Sequence, residues 1–250
     1  MHALLLYGQL FVITLYPNIT SLGVLTALHQ IYTQLGNPKP DYTTGWEAKP
    51  YSSVSFSAPD NWKAGRIWGR RDCNFNANDP NDGATQCVSG GCKGGLVCDP
   101  NGGTGVPPAT LAEFTLSGDG NKDFYDVSLV DGFNLPLRID NGKGCRAPEC
   151  AVDLGPNCPA QFKGPFDSTG FPVGCKNACL LDPNPANSPA CCSGQFDTLE
   201  TCPSTGSATY NYFKSGCPDA YAYAFDDQRG LWTCDAGLKV DYTITFCPPP

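Results

Sequence analysis

Five short runs along the chain alternate apolar and polar residues with a period of two. They are SVSFS (53–57), RIWGR (66–70), LAEFTL (111–116), FYDVSLV (124–130) and KVDYTITF (239–246). Successive side chains of a strand point to opposite faces, and these runs are rich in β-branched and aromatic residues bounded by turn formers. They therefore predict the strands of a half-buried antiparallel sheet. Helix signals are weak. TYNYFKSGCPDAY (209–221) carries the best one, stopped by Gly216 or Pro218, and PACCSGQF (189–196) has room for one turn or two. Residues 145–217 hold nine cysteines and many prolines, without the apolar periodicity of an independent core, so covalent staples are expected to hold them.

The same period sorts the charged residues by face. In 111–116, Ala112, Phe114 and Leu116 share the inner face, and Glu113 lies outside with Leu111 and Thr115. In 124–130, Tyr125, Val127 and Leu129 point inward, and Asp126 lies outside with Phe124 and Ser128. In 66–70, Ile67 points inward, which turns Arg66, Trp68 and Arg70 outward. If the three strands pair, Arg66, Glu113 and Asp126 meet on one face. Asp131 is an odd number of residues from Asp126, but Gly132 permits a turn that swings it toward the same surface. Two readings stand at this point: ordinary solvated charges, or one acidic site spread over neighbouring strands.

Composition narrows the partners. The chain has 250 residues, with 16 Lys and Arg against 24 Asp and Glu, a formal charge of −8. Phosphate backbones and anionic membranes are held by Lys and Arg, so no nucleic acid and no membrane surface is expected as a partner. A neutral polymer or a basic partner stays open. The 15 cysteines sit among Gly, Pro, Asn and Ser in loops, both histidines lie far from them, and no paired CxxC knuckles occur. That contrast favours disulfides over zinc, hence an oxidising compartment and a secreted protein with one thiol left over. No metal or cofactor is expected: DGNKD (119–123) lacks the ligand spacing of a calcium loop and reads as a polar turn. No Asp, Glu, Lys or Arg precedes Lys39, and ALLLYGQLFVITLY (3–16) reads as the apolar core of a leader, with Ser21 and Gly23 as small residues for cleavage. The usual positive flank is missing. A membrane anchor is the rival reading, interrupted by Pro17, Asn18 and Thr20. NIT (18–20) is a glycosylation sequon.

From about Ile31 onward the chain resembles the thaumatin-like family. The resemblance is carried, in order, by AGRIWGRRDCNF (64–75), GGCKGGLVC (90–98), PPATLAEFTL (107–116), DFYDVSLVDGFNLP (123–136), CCSG (191–194), CPDAYAY (217–223) and YTITFCP (242–248). It implies an all-β fold, a flattened antiparallel β-sandwich with disulfide-rich loop and short-helix subdomains. The expected core spans 31–151 and 218–250, with 71–99 as a small disulfide-bonded loop subdomain and 152–217 as a larger one. It also implies the pairs Cys73–Cys87, Cys92–Cys98, Cys145–Cys234, Cys150–Cys217, Cys158–Cys175, Cys179–Cys191 and Cys192–Cys202. Cys247 is left over, because residues 1–30 do not resemble the family and lack the stretch that carries its partner. A leader or a misread first exon accounts for that segment, and the alternative is a genuine variant with a free thiol. SGGC (89–92) departs from the pattern, with Gly91 in a slot that the family usually fills with an acid and that is expected near the cleft rim.

The resemblance further implies a cleft lined by an Arg, a Glu and three Asp. These fall on Arg66, Glu113, Asp126, Asp131 and an Asp of AFDDQ (224–228), where Asp226 is favoured over Asp227. Two carboxylates flanking a glycosidic bond are the machinery of its hydrolysis. Glu113 is expected as the proton donor because its side chain is longer and its intrinsic pKa higher. Asp126 or Asp131 is then the base or nucleophile, and Arg66 the group that holds a carboxylate ionised. Tyr125, Phe133 and Trp68 are candidates to stack on sugar rings, with core packing the favoured reading for Tyr125. The implied substrate is β-1,3-glucan of a cell wall, met by a monomer. Three functions compete: a weak endo-β-1,3-glucanase, a non-catalytic glucan-binding or antifungal protein, and a protein ligand such as an inhibitor of another hydrolase or a taste-receptor ligand. The acidic charge speaks against the last.

Overall fold

A computed structural model describes residues 8–15, 27–32, 38–99 and 105–249. Twelve strands make up its sheets: β1 (Gly8–Leu15), β2 (Ala27–Tyr32), β3 (Trp46–Ala48), β4 (Ser53–Pro59), β5 (Gly65–Cys73), β6 (Cys87–Ser89), β7 (Leu111–Gly118), β8 (Lys122–Ser128), β9 (Leu137–Asn141), β10 (Glu149–Cys150), β11 (Trp232–Asp235) and β12 (Tyr242–Phe246). Two short helices, α1 (Tyr210–Gly216) and α2 (Asp227–Gly230), join them. One sheet has the order β10-β9-β12-β1-β4. The other runs β11-β8-β7-β5-β2-β3, with β6 paired to β5. All pairings are antiparallel except β1 with β12.

The five runs that alternate with period two fall on β4, β5, β7, β8 and β12, although β8 ends at Ser128, before Leu129 and Val130. β12 begins at Tyr242 rather than Lys239, because Lys239 closes a 3-10 turn with left-handed backbone. The helix read in 209–221 stops at Gly216 as expected, and PACCSGQF supplies only a 3-10 turn at Gly194–Phe196. Part of the run read as a leader core forms β1, the strand between β12 and β4. Phe11 and Ile13 of that strand are buried. A charge-free apolar run satisfies both an export core and a central strand, so periodicity alone does not separate them.

The inner faces of the two sheets bury one aromatic cluster. Phe11 meets Phe114 edge-on at 4.9 Å, and Tyr242 lies 5.2 Å from Phe114 and 5.1 Å from Tyr125. Asp123 is buried among them. Its carboxylate accepts from Gln9 Nε2 of β1 at 2.7 Å, from the Ser117 backbone N–H at 2.9 Å and from Tyr242 Oη of β12 at 3.0 Å. One carboxylate thus ties the two sheets together, and three donors make its burial tolerable. The polar turn read in 119–123 covers only its first residues. Period two from Tyr125 back to Asp123 is the signal that identifies the acid as inward-facing.

Seven disulfides join Cys73–Cys87, Cys92–Cys98, Cys145–Cys234, Cys150–Cys217, Cys158–Cys175, Cys179–Cys191 and Cys192–Cys202. Cys247 is buried as a free thiol, which burial pushes up to about 12. The loop stapled by the first two bridges folds over part of the outer face of the larger sheet. This corrects the outward placement of Trp68 and Arg70: both lie on the outer side, yet both are fully buried beneath that loop. Trp68 Nε1 donates to the Gly90 carbonyl at 2.9 Å, and Arg70 donates to the Gly95 and Leu96 carbonyls at 2.6 and 2.7 Å. Gly91 is buried inside the same loop, where an added Cβ would collide with the Ala84 carbonyl. The expected rim slot is therefore interior in this chain.

Candidate functional site

The uncovered part of that outer face forms a groove of about 400 Å³. Its floor follows from strand register. Arg66 of β5 stands opposite Glu113 of β7, and Glu113 stands opposite Asp126 of β8. The three make one row across three strands. On either side, Thr115 faces Phe124 and Leu111 faces Ser128, and all four line the groove. Face-counting from the sequence groups these same residues.

Asp131 enters from beyond the end of β8. The turn is closed by the Gly132 N–H donating to the Leu129 carbonyl at 2.9 Å, with Gly132 at φ +87°. A Cβ at Gly132 would lie 2.8 Å from both the Cys175 carbonyl oxygen and Pro108, so the turn needs glycine for two reasons. Arg66 is the hub of the acids: its Nε lies 2.7 Å from Glu113 Oε1 and its Nη1 4.0 Å from Asp131 Oδ2.

The acids differ in environment. Asp126 is buried, and its Oδ1 has no hydrogen-bond donor. Burial first, and the Glu113 carboxylate second, push its carboxyl well above the usual range, with Arg66 opposing and Asp227 adding to the rise. Asp131 is raised by burial too, against the pull of Arg66. A group whose folded pKa is raised contributes stability below its unfolded value, and that contribution is lost as pH rises through the folded value. Asp126→Asn cannot ionise. Its melting temperature is therefore expected to match wild type at about pH 4 and to exceed it by about 2–4 °C at neutral pH, the shift for about 1 kcal/mol in a chain of this size. Calorimetric scans at the two pH values check this, and a gap that shrinks as pH rises would contradict it.

Asp226 does not face the groove. It is buried, 2.8 Å from Lys214 Nζ, and it accepts from the Ala222 N–H at 3.0 Å. Its backbone carbonyl also accepts from Arg229 and Gly230 at the start of α2. Asp227 is exposed and accepts from Tyr221 Oη at 3.0 Å, and Tyr221 lines the groove. Neither acid lines the groove itself: Lys214 draws Asp226 inward, and Asp227 approaches the groove through its bond to Tyr221. Of the three stacking candidates, Phe133 and Trp68 are corrected, and Tyr125 packs in the core as favoured. Tyr125 and Phe133 are core residues, and Trp68 is sealed under the loop. Phe114, Phe124 and Tyr221 border the groove, and of these Phe114 is buried while Phe124 and Tyr221 are partly exposed. Phe124 was readable as outward from the period, whereas Tyr221 lies in a loop where no period applies.

Residues 24–248 match the model of the thaumatin family. The chain belongs to the thaumatin family. It is 47% identical over 207 residues to "Pathogenesis-related protein 5" of Arabidopsis thaliana, which covers 82% of this chain and 79% of the relative. It is 43% identical over 217 residues to "Thaumatin-like protein 2" of Prunus persica, covering 85% and 83%. A third relative, at 41% over 223 residues and covering 86% and 84%, is named "Glucan endo-1,3-beta-glucosidase", from Prunus avium. In this thaumatin-family chain Leu111 borders both the groove and the buried Trp68 cluster.

Proposed function

We propose that this thaumatin-family protein binds β-1,3-glucan in the acidic groove and hydrolyses it slowly, outside the cell, in wall remodelling or defence. The observation that carries the reading is the row Arg66–Glu113–Asp126, with Asp131 closing it, along a groove of about 400 Å³. The name of the relative from Prunus avium supports the substrate class. Seven disulfides support an oxidising compartment, and among the described residues no helix is long and apolar enough to cross a membrane.

The geometry supports roles opposite to those expected from side-chain length. Asp126 is the buried acid, raised in pKa and with one oxygen lacking any hydrogen-bond donor, so it donates a proton to the leaving oxygen. Glu113, held by Arg66 at 2.7 Å, acts as the carboxylate that activates water or attacks carbon. Asp131 shares the guanidinium and orients the sugar. Phe124 and Tyr221 offer ring faces to the apolar side of a pyranose.

The test uses the full disulfide-bonded protein with laminarin at mildly acidic pH. Wild type is expected to release reducing ends, and Glu113→Gln to release none while melting normally. Wild type that sediments with insoluble glucan but releases no reducing ends would leave glucan binding as the function, the reading favoured by relatives whose names carry no enzyme activity. Wild type that does neither would overturn the proposal.

A further inference from the structure

A second, smaller hollow of about 80 Å³ adjoins the groove. The two share Val130, Asp131 and Ala224 in their walls, so they meet at the end of the acidic row. The far side of this annex is built by the disulfide-rich segment: Leu180, Ala190 and the Cys179–Cys191 bridge, with Tyr223 opposite. Its floor is fixed. Asn177 is buried and its Nδ2 donates to the Leu129 and Ala222 carbonyls at 3.1 and 3.2 Å, so the amide is fully occupied in bracing the two walls.

Size and chemistry select the occupant. The hollow has about a fifth of the groove's volume, so it suits a small side group better than a further length of sugar chain. The walls are apolar, and the one carboxylate at the mouth is Asp131. A short amphipathic group matches this: a methylene against Leu180 and Tyr223, and a hydroxyl donating to Asp131. Resting on the glucan reading of the groove, we propose that the annex receives the exocyclic hydroxymethyl group of one glucose unit of the bound chain. Leu180, Ala190 and Tyr223 then determine whether a unit substituted at that oxygen is admitted.

The test measures binding, so it does not depend on catalysis. Dissociation constants are compared by calorimetry for linear laminarihexaose and for a β-1,3-oligoglucoside carrying one β-1,6-glucosyl branch. Wild type is expected to prefer the linear ligand. Ala190→Leu, which fills the annex, is expected to weaken linear binding about tenfold, the scale of a misfitted apolar pocket. Leu180→Ala, which opens it, is expected to reduce the preference for linear over branched by about tenfold. Both residues lie at the surface or half-buried, and a melting curve for each variant checks folding. If wild type binds and both folded variants keep its constants and its preference, the annex assignment is wrong while the glucan reading stands. If wild type binds neither ligand, both fall together.

Discussion

Asp126→Asn is expected to lower kcat/KM on laminarin by about 10²–10⁴-fold, the usual contribution of a general acid. The reason is the asymmetry of the row. Asp126 is buried with one oxygen lacking any donor, whereas Glu113 is gripped by Arg66. Loss of activity alone does not identify the donor, so the substrate must be varied. On an aryl laminarioligoside the departing phenolate needs no proton, and Asp126→Asn is expected to keep most of the wild-type rate. Glu113→Gln is expected to fail on both substrates. The pH profile gives a second readout: the acid must be protonated, so the alkaline limb of wild type reports the raised carboxyl of Asp126 and disappears in Asp126→Asn. Equal losses on laminarin and the aryl substrate would show that Asp126 is not the donor.

Lys214→Met is expected to destabilise the protein by about 3–5 kcal/mol, the cost of leaving one member of a buried ion pair alone. Lys214 and Asp226 have side chains only 6% and 3% exposed. The ammonium also donates to the Pro218, Ala220 and Arg229 carbonyls at 3.1, 2.6 and 3.2 Å. Removing it strands the Asp226 charge and three carbonyls. The double variant Lys214→Met with Asp226→Leu is expected to recover most of the loss, since no charge then remains buried. Guanidinium unfolding with the disulfides intact measures both. The pair also braces the segment that carries Tyr221 and Ala224 into the groove, so the single variant is expected to bind glucan more weakly under conditions where it is folded. A single variant as stable as wild type would remove this account.

How much was legible in the sequence follows from which residues sit in regular strands. The shared face of Arg66, Glu113, Phe124 and Asp126 is legible because β5, β7 and β8 are long enough for alternation to be counted and they pair in register. Trp68 and Arg70 were assigned the right side of the strand but the wrong environment, since a period of two cannot foresee a stapled loop folding over part of a sheet. Asp226 and Asp227 are adjacent in a loop, and only the position of Lys214, on α1, decides which turns inward. The short strands β3, β6, β10 and β11 have two to four residues each, too few to establish a period. β1 failed for the opposite reason: an uncharged apolar run is equally at home in a leader and in the middle of a sheet.

That strand has a consequence for how the molecule is made. β1 pairs early with β4, but its other edge belongs to β12, which is aligned with it from Phe11–Tyr242 to Leu15–Phe246. A ribosome must deliver nearly the whole polypeptide before this edge finds its mate, and until then a bare apolar ribbon is open to strands of other nascent chains. Chaperone capture during synthesis, and aggregation of truncated translation products, should both centre on this edge.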